Sequence, residues 1–272
     1  MEQQPLDLSK IILDRLDKKN GYFSEIFPKK QIILHHSASN ISPFELIDSW
    51  RKNNLKAAAS LVIAGKPSVV GANYNDGDII SVFSSRYWAL HLNCHSKKNN
   101  IPASYKKREH TRTLEKASIA IMLCNAGPLT FSNGKFYTRH KTLVPDNEVI
   151  EYIEKYRGYN FYHKYSDAQI ESLRQLLDFL CNLYDIPRMY QPDMWGISPS
   201  ALGGQPGIYT HTSLRTDLSD CHPQPSLIEM LVEFGAGTNT KKEVDKSSVP
   251  EAKTKGKTEK VELESPENGK EK

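Results

Sequence analysis

No stretch of this sequence is apolar for eighteen consecutive residues, so no segment has the character of a membrane-spanning helix. The first twenty residues, MEQQPLDLSKIILDRLDKKN, break every apolar stretch with charge and lack the uninterrupted apolar core of a secretory signal. A cytoplasmic location is therefore the expectation, the alternative being release by a route the sequence does not show. Cysteine is scarce. Cys94, Cys124, Cys181 and Cys221 are too few among 272 residues for a disulfide scaffold, and free thiols are expected. Nor is there much excess charge of one sign. The formal net charge is only +4, from 36 basic and 32 acidic residues, which argues against holding nucleic acid through its phosphates.

Aromatic residues stop at Phe234. The stretch after Ala236 carries nine Lys and eight Asp or Glu with little that could be buried. Such composition does not offset the entropy of ordering, so residues 235–272 read as a disordered tail. The rest has ordinary globular composition, 38% hydrophobic and 25% charged over the whole chain, with no internal repeat. We read residues 1–30 as a helical N-terminal segment and 31–234 as one domain.

Several elements are legible in that domain. Gln31–His36 (QIILHH) is an apolar, Ile-rich run bounded by Pro28-Lys29-Lys30 and Ser-Ala-Ser-Asn, the pattern of a buried strand. Ser42-Pro43-Phe44-Glu45 combines a capping serine, a proline suited to the first helical position and a glutamate three residues on, so a helix should run through Trp50. Ala58–Ile63 and Asp78–Phe83 read as strands, the second preceded by an Asn-Asp-Gly turn. Ser118–Cys124 is the most apolar strand and should be central. Ser166-Asp167-Ala168-Gln169 is a second capping box. The Ile170, Leu173, Leu176, Leu177, Leu180, Leu183 spacing after it predicts an amphipathic helix ending near Pro187. Pro225–Phe234 predicts a last short helix. The alternation gives an α/β fold with one mixed central sheet flanked by helices. The segments 84–116 and 187–207 read as long loops, where sites often form.

His35 and His36 end the first long strand, at the rim of a sheet. A pair like this is either hydrogen-bonded and half-buried or part of a site. The segment 207–223, GIYTHTSLRTDLSDCHP, gathers His211, Asp217, Asp220, Cys221 and His222 within twelve residues. Imidazole, carboxylate and thiolate are the ligands of zinc, and a catalytic zinc keeps three protein ligands and one open position. Two histidines and a carboxylate would make a set suited to amide hydrolysis. Cys94 and His95 have no further ligands spaced for a second metal site. Cys124 and Cys181 fall on core faces. Trp88, Trp195 and Tyr209 could either stack on a ligand or fill the core.

The order of five segments resembles the zinc-dependent N-acetylmuramoyl-L-alanine amidases, the type that includes peptidoglycan recognition proteins. The segments are IILHHSAS at 32–39, NDGDII at 75–80, WALH at 88–91, SIAIMLCNAG at 118–127 and GIYTHTSLRTDLSDCHP at 207–223. The helix after YSDAQ and LYDIP at 183–187 also correspond. This resemblance implies a Zn2+ cofactor, peptidoglycan or muropeptide as partner, and cleavage between the muramic acid lactyl group and L-alanine. It implies His35, His211 and Asp220 as metal ligands, with Cys221 the alternative to Asp220 because some relatives use cysteine. His36 reads as a neighbour of the site. There are departures. Met122 stands where many relatives carry a proton-transferring Glu, Ala59 or Ser60 where others carry Tyr, and Leu218 where the family has an oxyanion-steadying Lys. Loss of an acid–base group typically costs ~10²–10⁴ in rate and loss of an oxyanion donor ~10²–10³. His91, matching a family histidine near the cleft, is the candidate acid–base residue. Arg215 is the candidate oxyanion stabiliser, with pairing to Asp217 as its other reading. A peptidoglycan-binding protein with weak or no turnover is the alternative to the enzyme.

Overall fold

The computed structural model describes residues 5–93, 101–236 and 250–254. Its elements in chain order are β1 (Ile12–Leu13), β2 (Gln31–His36), α1 (Pro43–Asn53), β3 (Leu61–Ile63), β4 (Ile79–Ser81), α2 (Arg108–Ala117), β5 (Ser118–Leu123), β6 (Thr130–Ser132), β7 (Lys135–Tyr137), β8 (Leu143–Val144), β9 (Val149–Tyr156), β10 (Tyr159–His163), α3 (Asp167–Tyr184), α4 (Pro199–Leu202), β11 (Gly207–Thr210), α5 (Pro225–Ala236) and β12 (Ala252–Thr254).

The central sheet has the order β1-β4-β3-β5-β2-β11, and only its β3/β4 pair is antiparallel. Both faces are covered, which is why β2 and β5 read as continuous apolar runs. One face packs under α3 and α5 through Leu173, Leu177, Leu227 and Leu231. The other packs under α1 through Leu46 and Ile47, joined by Leu16 and Tyr74. Both expected capping boxes form: Ser42 with Glu45 starts α1, and Ser166 with Gln169 starts α3. Two three-stranded antiparallel sheets, β6-β7-β8 and β10-β9-β12, complete the fold.

Three segments differ from the sequence reading. The N-terminal segment is not an extended helix. It forms one 3-10 turn at Leu8–Lys10, and then β1 pairs with Ile80–Ser81 on the open edge of the sheet. The segment 84–116, read as loop, contains α2, whose REHTRTLEKA sequence buries only Thr111, Leu114 and Glu115. Within the tail, Gly235 and Ala236 finish α5, and Ala252–Thr254 pairs with β9. Main-chain pairing to a strand edge needs no apolar side chains, so composition gave no sign of it. The tail residues 237–249 and 255–272 lie outside the described residues, as do Cys94 and His95. Among the described residues, no helix is long and apolar enough to cross a membrane.

Candidate metal centre

Parallel pairing places the carboxyl ends of β2 and β11 side by side, with Leu34 opposite Thr210. The next residue along each chain segment is a histidine. His35 is the fifth residue of β2, and His211 opens a 3-10 turn after β11. The chain then loops out and returns so that the Asp220 carbonyl accepts from the Thr212 amide at 3.0 Å. His35 Nδ1 and His211 Nδ1 are 3.1 Å apart, and Asp220 Oδ2 lies 3.2 Å from the first and 3.0 Å from the second. All three side chains are buried, and they form the group of potential ligands that converges among the described residues.

The group fits zinc. Ligand atoms placed tetrahedrally at the zinc–nitrogen and zinc–oxygen distances of roughly 2.0–2.2 Å sit ~3.3–3.6 Å apart, close to the observed spacing. His211 Nε2 lies 3.1 Å from the Leu92 carbonyl. A carbonyl only accepts, so His211 carries a proton on Nε2, and Nδ1 is the nitrogen that faces the centre. Two imidazoles and one carboxylate suit zinc better than calcium or magnesium.

The neighbouring candidates take other places. Cys221 lies in the main core, and burial pushes its thiol well above the ordinary range. The protein therefore brings Asp220, not Cys221, to the centre. His222 stacks between Tyr162 and Tyr165, with Nδ1 2.9 Å from Tyr152 Oη and Nε2 3.1 Å from the His163 carbonyl. His36 faces Tyr165 Oη at 2.9 Å. A Cβ at Gly127, which has φ +67°, would come within 2.7 Å of His36 Nε2, so only glycine fits against that ring. Tyr152, Tyr165 and Glu115 were not singled out by sequence. A carboxylate beside Thr111 and Leu114 on one face of α2 is the signal that would have found Glu115.

His91 and Arg215 both lie at the centre's edge. His91 Nδ1 is 3.0 Å from His35 Nε2, and its Nε2 is 2.7 Å from Ser118 Oγ. Arg215 makes a two-pronged pair with Asp217 at 3.0 and 2.6 Å and donates to the Leu92 carbonyl at 3.2 Å. Met122 stands beside His35 in the β2–β5 register. Trp88, Trp195 and Tyr209 are all core residues. A cleft of about 1090 Å³ opens against Asp220, walled by Leu218, Tyr159, Arg139, Lys141 and Arg157.

Burial dominates the electrostatics. It pushes His35 and His36 to about 4, and His91 and His222 well below their ordinary value, which keeps imidazole in its metal-binding form. Burial would raise Asp220, but His211 and His35 outweigh it and hold the carboxyl well below the usual range. Burial raises Glu115 to about 7 against the backbone N–H groups it accepts from. As pH falls from 6.5 towards 4, the unfolded chain binds protons that these four histidines refuse, so stability falls with pH in that window. Glu115 acts oppositely between 4.5 and 7, because there the folded state holds the extra proton. A histidine shifted to about 4 contributes on the order of 3 kcal/mol. The histidines outnumber the glutamate, so the urea midpoint of the metal-free protein should be lower at pH 5 than at pH 7. An equal or higher midpoint at pH 5 contradicts this.

No family model and no curated protein matches the chain. Among solved structures it is similar to PlyL, with TM-score 0.44 and 11% identity over 81% of this chain and 96% of that one. It is similar to Staphylococcus aureus hydrolase AmiA in complex with its ligand, with TM-score 0.42 and 14% identity over 86% of each chain. It is also similar to the E. coli N-acetylmuramyl-L-alanine amidase AmiD in complex with its substrate, with TM-score 0.32 and 17% identity over 64% of this chain and 51% of that one.

Proposed function

We propose that the protein is a zinc-dependent amidase of the N-acetylmuramoyl-L-alanine amidase family, acting on peptidoglycan or muropeptides. The observation that carries this reading is the meeting of His35, His211 and Asp220, 176 and 185 residues apart for the pairs involving His35, around one point beside an open cleft. The resemblance of the five sequence segments supports the substrate class. Zinc held there would polarise a scissile carbonyl and acidify water beside it.

The chain's own residues do the rest. Asp220 balances charge at the centre, and the two imidazoles set its shape. Arg139, Lys141 and Arg157 give the cleft a basic wall suited to the carboxylates of a peptide stem. Arg215, anchored by Asp217 and the Leu92 carbonyl, braces the loop that carries His211 and keeps a fixed cation near the centre. Met122 beside His35 and Leu218 on the cleft wall favour a second reading, a binding protein with slow turnover, because neither can donate or take a proton.

Digestion of muropeptides followed by mass spectrometry separates the two. The enzyme releases free stem peptides, and release stops with chelator or with His35→Ala. Retention on insoluble peptidoglycan without release supports the second reading. Wild-type protein that neither binds zinc nor releases peptide removes the proposal.

A further inference from the structure

A neutral imidazole carries one proton on one of two nitrogens, and only the bare nitrogen can hold a cation. The contacts around His35 decide which is bare. Ser118 Oγ donates its single proton to the Leu114 carbonyl at 2.6 Å. His91 Nε2, 2.7 Å from the same oxygen, must then be the donor of that pair. A neutral His91 is left with a bare Nδ1, which accepts from His35 Nε2 at 3.0 Å. The His35 proton is thereby placed on Nε2, and Nδ1 turns bare towards His211 Nδ1 at 3.1 Å, the nitrogen that donates to the Asp220 carboxylate at 3.0 Å while no metal is held.

His91 is itself held. Glu115 Oε2 accepts the backbone amides of His91 and Leu92 at 2.9 and 3.0 Å. The same short segment thus serves both metal histidines, through the ring of His91 and through the Leu92 carbonyl, which receives His211 Nε2 at 3.1 Å.

We infer that His91 is a positioning residue whose bond to Ser118 fixes His35 as the Nε2–H tautomer and so presents Nδ1 to the metal. The inference rests on the zinc reading for its purpose, but the tautomer is a property of the metal-free protein. It gives His91 a role other than proton transfer, since both ring nitrogens are committed inside the protein.

The test uses 15N-labelled histidine in the full chain, with the His35 signals assigned by their loss in His35→Gln. Long-range 1H–15N correlations without metal should show His35 protonated on Nε2. In His91→Phe, which keeps bulk and removes the acceptor, His35 should populate the Nδ1–H form. Zinc affinity, measured by competition with a chelator, should weaken ~10–100-fold. In His91→Asn, whose side-chain oxygen reaches the place of Nδ1, both readouts should return towards wild type. If His91→Phe does not fold, the wild-type and His91→Asn tautomers still decide. A wild-type His35 protonated on Nδ1, or a folded His91→Phe that binds zinc as tightly as wild type, overturns the inference. Absence of zinc affinity in wild type with the expected tautomer overturns the zinc reading alone.

Discussion

Asp220→Asn should abolish tight zinc binding and peptide release while leaving the fold intact. The substitution preserves shape and one carbonyl oxygen but removes the negative charge set 3.0 and 3.2 Å from the two imidazole nitrogens. Removing one partner of a buried charge pair costs about 3–5 kcal/mol, which at 1.4 kcal/mol per tenfold is a loss of ~10²–10⁴ in affinity. Cys221→Ser is the contrast. Its side chain belongs to the core, so zinc binding should stay near wild type even if some stability is lost. Competition titration of both variants decides. If Cys221→Ser loses zinc and Asp220→Asn keeps it, the ligand assignment is wrong.

Trp88→Ala should be the most damaging single change away from the centre. The indole stacks on Phe23 with centroids 4.0 Å apart, and Arg112 lies beside the pair, 4.6 Å from the indole and 5.0 Å from the phenyl ring. Backbone bonds tie the same two residues, from the Phe23 amide to the Trp88 carbonyl at 2.8 Å and back at 3.3 Å. Truncating a buried tryptophan costs about 3–5 kcal/mol, or roughly 6–20 °C of melting temperature for a domain this size. The damage should reach the centre as well, because Trp88 is three residues before His91, and zinc affinity should fall with stability. A melting temperature within about 2 °C of wild type would show that the stack contributes little.

The fold was legible where side-chain pattern and environment agree. QIILHH and SIAIML are interior strands of a sheet covered on both faces, so their apolar runs are unbroken. The Ser166–Gln169 box and the leucine spacing of α3 mark its start and its buried face. What escaped lacks such a signature. In α2, Arg, Lys and Glu fill half the positions and a short buried stripe is hidden among them. β1 and β12 are edge additions held by main-chain bonds, which depend little on side-chain identity.

The candidate site divides the same way. His35 showed itself by ending an apolar strand, and His211 and Asp220 by standing in a ligand-rich loop. Their meeting depends on the β2–β11 pairing, which spacing alone could not supply. The support behind them was not legible, because a carbonyl such as that of Leu92 has no residue type to read, and Glu115 reaches its partners through backbone amides.

The register that sets Leu34 opposite Thr210 makes the geometry at the centre a by-product of sheet assembly. A strand alternates its side chains, so one residue inserted within β11 would swing His211 to the far side of the ladder, whereas one inserted at 214–219 meets only a loop. On the zinc reading, capture of the cation must therefore wait until the two strands are aligned. A zinc-sensitive signal during refolding would time the zipping of β2 against β11 rather than the collapse of the chain.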